Sequence, residues 1–155
     1  MLKLRIFLKY WLPPLAWMLL IFTGSSDAKS LQHSSLFVEP FLRWLFPHMT
    51  PAHVEEIHYF IRKCAHLTEY AVLALLFWRA VRRPVKNDHR PWSWREAGVA
   101  LFLVFLYSAS DEFHQRFVPN RSCDVADWAA DTFGGFIAAS AYWIYESHRS
   151  SKKYR

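Results

Sequence analysis

A chain of 155 residues has room for one domain, and its 53% hydrophobic and 18% aromatic content is above what a soluble domain carries. The mean hydropathy of -0.01 is nevertheless modest, because polar connections dilute the apolar stretches. A net charge of +6 does not indicate nucleic acid here, since Lys and Arg neither share one helical face nor alternate with stacking aromatics. Cys64 and Cys123 show no C-x-x-C spacing, so no zinc or redox motif is present, no cofactor is specified, and both read as small apolar fillers.

The apolar residues fall in four blocks. The first runs from Tyr10 to Thr23, behind Lys3, Arg5 and Lys9. A signal peptide has a similar outline, but Pro13-Pro14 interrupts the run and no clean small-x-small cleavage site follows, so a retained span is expected. It begins near Leu4 or starts sharply at the proline pair. Between residues 24 and 50, Phe37, Phe41, Trp44 and Leu45 recur at helical spacing around Glu39 and Arg43. Either a short interfacial helix or, given Pro40 and Pro47, an irregular loop resting its aromatics on a membrane fits that pattern.

Thr50-Pro51 places a capping hydroxyl before a proline at the first helical position, and the helical pattern then continues to about Trp78. A third block, roughly Trp92 to Tyr107, follows a basic loop with Arg79, Arg82, Arg83, Lys86 and Arg90; the fourth, Trp128 to Tyr145, ends in a basic tail. Ala126, Ala130, Gly134 and Ala138 recur every four residues, a small-residue stripe that predicts the fourth span as the central packing helix. The expected class is all-α: an integral membrane four-helix bundle, one domain over 1–155, with spans near 6–23, 57–78, 93–112 and 127–146.

Orientation follows from charge. The N-terminus, the 79–95 loop and the tail together hold 13 Lys/Arg against 3 Asp/Glu, and the rest of the chain 6 against 10. By the positive-inside rule both termini are cytoplasmic. A rise of about 1.5 Å per residue then puts Glu69 near the midplane, His66 and Lys63 successively closer to the outer boundary, and Asp111, Glu112, His114, Gln115, Asp127 and Asp131 at or just below it. Intramembrane charges are costly unless paired or hydrated, so these groups should face one outward-opening polar cavity above an apolar cytoplasmic half.

Arg62 to Tyr70, Ser110 to Arg121 and Asp127 to Gly135 resemble the three signature stretches of the VanZ-like family, with the serine-containing turn Gly24-Ser25-Ser26 after the first span. The resemblance covers about residues 10–145. It implies a small membrane protein of the bacterial envelope, in a family whose founding member is associated with resistance to teicoplanin-type glycopeptides. Asn120 stands where glycine is frequent and Asp131 where asparagine is frequent.

Three readings of the polar residues stay open. In the first they are a structural network: Arg62 and Lys63 neutralise Asp111, Glu112 or Asp127, and His66 and Glu69 bond across helices. In the second Arg62, Lys63 and Arg121 hold the phosphate of a membrane lipid or lipid-linked cell-wall precursor, oriented by the acids, with a glycopeptide as a further partner. In the third a membrane enzyme uses His66 or His114 with Glu69 or Glu112, or a metal on His66, Glu69, Asp111 and His114. No catalytic or metal-binding motif is present to select the third. His33, His48, His53, His58, His89 and His148 read as loop or interface residues.

Overall fold

The computed structural model describes residues 2–26, 30–85, 88, 90–118 and 125–153. Among them the regular structure is helical: α1 (Leu2–Ser26), α2 (Ser30–Leu45), α3 (Pro51–Arg82), α4 (Trp94–Gln115) and α5 (Val125–Lys153). The all-α expectation holds, and the helices run a few residues past the predicted spans. Two of them, α1 and α3, are long and apolar enough to cross a membrane. Both α4 and α5 carry charge at their two ends, while residues 97–110 and 132–145 between those ends contain none.

The helix α1 runs straight through Pro13 and Pro14 instead of starting there. A proline supplies no N–H, so Pro13 leaves the carbonyl of Lys9 without its usual i+4 donor. Arg79 on α3 meets that need, its Nη1 donating to Lys9 O at 3.3 Å. The proline pair thus becomes a docking point for α3. Further along, Trp17 Nε1 donates to Glu69 O at 2.9 Å and Tyr107 Oη to Met18 O at 2.6 Å, which ties α1 to α3 and α4. Gly24 to Ser26 still belong to α1, so the expected serine turn is the last turn of a helix.

The region between the first two spans settles as a helix. Within α2, Leu42 is buried, whereas Phe41, Trp44 and Leu45 are exposed, and Arg43 pairs with Glu39 at 2.8 Å one turn away. The expected cap of α3 is present: the Thr50 side chain accepts the His53 N–H at 3.4 Å and Pro51 opens the helix. Its other end closes on Arg83 with φ 49°, whose N–H donates to Arg79 O at 3.0 Å before Pro84 prevents continuation.

Helix α3, not the fourth span, is the central one, because it packs against α1, α2, α4 and α5. The small-residue stripe sets the closest of those contacts. A Cβ on Gly134 would lie 2.5 Å from the Leu67 carbonyl oxygen, so α5 approaches α3 backbone to backbone. Cys64, expected to be a filler, is exposed on α3, and Cys123 lies outside the described residues.

The core between these helices is apolar, built on Ile21, Leu73, Ala74, Phe77, Ala100 and Val104. A polar layer lies at each end. The one not foreseen surrounds Arg82, whose side chain is 3% exposed and bonds to Glu96 Oε2 (2.8 Å), Pro91 O (3.1 Å) and the carbonyl of Arg90, with Asp88 and Glu146 within 4.0 Å. Trp78 and Trp92 stack beside it at 5.4 Å between ring centres. The expected apolar half is present around Leu73, Ala74 and Phe77, and the Arg82 layer lies beyond it, where only a basic loop was foreseen. A guanidinium has five donors in a rigid fork, and here carbonyls freed by the chain reversal and carboxylates from three elements supply the acceptors.

Candidate functional site

The second polar layer is organised by Asp111, 3% exposed on α4. Its Oδ2 accepts hydrogen bonds from Ser25 Oγ on α1 (2.8 Å), Tyr70 Oη on α3 (3.2 Å) and Gln115 Nε2 one turn further along α4 (3.0 Å). Three helices thus converge on one oxygen. All three donors are neutral, so they fix the carboxylate's orientation without cancelling its charge. Its Oδ1 is buried and has no hydrogen-bond partner among the described residues.

Around this centre lie the other predicted acids. Glu112 is 6% exposed and Asp131, on α5, 2% exposed. Glu112, Asp111, Lys63 and Glu69 all act electrostatically on Asp131. His66 on α3 faces Asp131 with Nδ1 3.9 Å from Oδ1, and Lys63, a turn earlier, forms an ion pair with Asp127 at the start of α5. The Lys63, His66, Glu69 spacing therefore does what its helical register predicts: α3 lays a cation and an imidazole against two acids of α5. Both Lys63 and Asp127 remain about a quarter exposed, at the rim of the layer.

The structure brings together most of the predicted site and leaves out part of it. Arg62 is not paired with Asp111, Glu112 or Asp127; its guanidinium sits 5.8 Å from the Tyr59 ring, and the Lys63 ammonium is 5.1 Å from the same ring. One position makes the difference, since consecutive residues on a helix point about 100° apart and only Lys63 faces α5. His114 stacks on Phe22 of α1 at 4.4 Å between ring centres, and its Nδ1 is buried without a hydrogen-bond partner among the described residues. Arg121 lies outside the described residues. No three His, Cys, Asp or Glu among the described residues form a group able to hold a metal, so the four suggested metal ligands do not converge.

Two members were missed from sequence. Ser25 is a small polar residue at the end of an apolar helix, and only its helical continuation past Gly24 turns it inward. Tyr70 follows Glu69 in the first signature stretch, yet it is fully buried and is the phenol that reaches Asp111. A buried tyrosine generally seeks a partner for its hydroxyl, which is the signal that was available. At the far end of the molecule, hydrogen bonds from the side chain and backbone of Arg90 hold the loop residue Asp88 below the ordinary carboxylate range.

Charged and polar side chains inside and large apolar ones outside reverse the usual order of a soluble domain. Leu19, Leu20, Phe102, Phe113, Phe133 and Phe136 are all exposed, on three of the helices. A helical chain of this kind, with membrane-length apolar helices and acids buried between them, is a membrane protein by class. The VanZ/LLP1 family model matches residues 10–146, and the chain belongs to that family. Comparison with curated proteins and with solved structures gave no match.

Proposed function

We propose that this is a four-span protein of the bacterial cytoplasmic membrane, with both termini cytoplasmic, in which the Asp111 layer forms an outward-facing site for the anionic headgroup of a lipid or lipid-linked cell-wall precursor. In this reading α1, α3, α4 and α5 cross the bilayer as a single domain and α2 lies in the outer interface with Phe41, Trp44 and Leu45 towards lipid. Charge-free stretches of 14 residues in α4 and α5 support the two spans of lower hydropathy. The positive-inside bias supports the orientation.

One observation carries the site: Lys63 and Arg62, both half-buried, stand at the end of the bundle where Asp111, Glu112 and Asp131 are buried. Cations at a rim meet a phosphate arriving from the headgroup region, and Asp127 holds the Lys63 ammonium in place. By membership of its family the protein then acts in envelope biology, including tolerance of glycopeptide antibiotics.

The test pairs two measurements on the same variants. Lys63→Gln and Arg62→Gln should each weaken binding of phosphatidic acid in neutral detergent by about tenfold, the loss of one charge-assisted contact, with membrane abundance near wild type. Unchanged affinity in both would remove the headgroup site. In cells, His114→Asn and Glu69→Gln should abolish the tolerance phenotype at near-normal abundance. A loss of phenotype merely proportional to abundance across the cluster would leave a scaffold, the role that the Lys63–Asp127 pair supports.

An enzymatic reading draws on the His66–Asp131 pair, in which a carboxylate faces an imidazole. Among the described residues, the hydroxyl–imidazole contact is Thr50 to His53 at 2.6 Å, which belongs to the α3 cap. A contact of 3.9 Å serves equally to join α3 to α5, so binding is the better supported role.

A further inference from the structure

The Asp111 layer is stratified by charge. Asp111, Glu112 and Asp131 are each more than nine-tenths buried, while the described Lys and Arg residues of this end, Lys63, Arg62 and Arg116, are half-buried or exposed. Seven residues separate Lys63 from Tyr70, so the cations stand roughly 10 Å further along the helix than the phenol that touches Asp111. Carboxylates are deep and cations shallow.

The acid at the centre of the layer is also unfinished. Ser25, Tyr70 and Gln115 occupy Asp111 Oδ2, and Oδ1, a buried acceptor whose direction those three bonds fix, has no partner among the described residues. A buried acceptor left without a donor is costly, and a buried charge left uncompensated more so. One kind of group answers both needs. A hydroxyl donates a proton but brings no charge, whereas an ammonium presents three donors, no acceptor and a positive charge. Within the bundle its attraction to Asp111, with Glu112 and Asp131 nearby, is stronger than it would be in water.

We infer that the site takes an aminoalkyl phosphate: the ammonium descends to Asp111 Oδ1, and the phosphate stays above at Lys63 and Arg62. This rests on the headgroup reading and names its ligand class. The charge order of such a group, anion nearer the surface and cation at its end, matches the order of the protein's own side chains. The same chemistry exists on a lipid, as phosphatidylethanolamine, and free, as phosphoethanolamine.

The experiment uses the full chain in neutral detergent, with native mass spectrometry of matched-chain phosphatidylethanolamine, phosphatidylcholine and phosphatidic acid. Phosphatidylethanolamine should bind about tenfold more tightly than the other two, since phosphatidylcholine keeps the charge but loses the N–H donors. Asp111→Asn should abolish that preference, so that the three lipids bind alike. Should Asp111→Asn not fold, Asp131→Asn, which breaks no hydrogen bond to Asp111, should reduce the preference severalfold. Displacement by free phosphoethanolamine but not by inorganic phosphate would identify the headgroup as sufficient, and a preference that only the lipid shows would identify the lipid as the ligand. Equal binding of phosphatidylethanolamine and phosphatidic acid to the wild type overturns this inference alone, as does a preference that survives both variants. Failure of every phosphate lipid to bind overturns the headgroup reading with it.

Discussion

Replacing Gly134 with alanine probes the closest contact in the molecule. The added Cβ would lie 2.5 Å from the Leu67 carbonyl oxygen and 3.2 Å from two further backbone atoms of that residue, against an ordinary contact of 3.4 Å or more. These are backbone atoms in the middle of a helix, so no side chain can rotate away, and α3 and α5 must part by about 0.9 Å. Overpacking of this kind costs about 1–3 kcal/mol, offset by the roughly 1 kcal/mol that alanine gains over glycine in a helix. With backbone atoms that cannot yield, the upper half of that range applies, and the net loss is about 1–2 kcal/mol, or roughly 2–8 °C in a melting experiment on a chain of this length. Thermal unfolding in detergent by intrinsic fluorescence measures it. Gly98→Ala is the control, since nothing lies within 4 Å of its new methyl group and only the helical gain remains. Gly135→Ala, meeting Ala74 and Val104 side-chain atoms at 3.3 Å, should fall between the two. If Gly134→Ala melts at or above the wild type while Gly98→Ala behaves as expected, the backbone approach of α3 and α5 is refuted. Gly134→Leu should then be harmless too, instead of more damaging.

Four other outcomes are expected. In a background lacking Cys64 and Cys123, an impermeant thiol reagent should label a cysteine introduced at Asn120 in intact cells and one at Lys86 only after permeabilisation; the reverse pattern inverts the orientation. Ser25→Ala and Tyr70→Phe each remove a hydrogen bond to the Asp111 carboxylate and should cost about 1.5–3 kcal/mol in detergent unfolding, so wild-type stability in both would dissolve the cluster. Arg82→Gln should cost about 3–5 kcal/mol, because it strands Glu96 and the carbonyls that Arg82 serves; a loss below 1 kcal/mol would place Arg82 in solvent. Arg90 depresses Asp88, so its contribution to the loop is full above the ordinary value of 3.8 and declines as pH falls below it. Hydrogen-exchange protection around the loop, referred to the intrinsic rate at each pH, should therefore fall on acidification in the wild type and stay constant in Asp88→Asn.

Sequence made the Asp111 layer legible because helical arithmetic is simple there. Lys63, His66 and Glu69 recur every three residues on a helix whose start, Thr50-Pro51, is marked by its own chemistry, and the structure lays the first two against Asp127 and Asp131. The choice between Arg62 and Lys63 was not legible, since it depends on the rotation of α3 about its axis, which packing partners fix. The central role of α3 was hidden for a related reason. A small-residue stripe identifies a surface of close approach, but it does not count how many neighbours its partner has, and α3 meets four helices where α5 meets two. The Arg82 layer was missed because a basic loop reads as a topology signal. Nothing in the spacing of Arg79, Arg82, Arg83 and Arg90 reveals that one of them turns inward to serve freed carbonyls.

The two polar layers use charge in opposite ways, and the difference bears on function. At the Arg82 end a cation stands at the centre, encircled by Glu96, Asp88 and Glu146 and by carbonyl oxygens, so the charge is compensated by the protein itself. Such a network can be understood entirely as a clasp joining α3, the following loop, α4 and α5. At the Asp111 end an anion stands at the centre, held by a serine, a tyrosine and a glutamine that orient it without neutralising it, while the described cations remain at the rim. A clasp needs no such arrangement, and an apolar core of similar volume would hold the helices at lower cost. Keeping a buried carboxylate aimed and incompletely bonded makes physical sense where something from outside completes it.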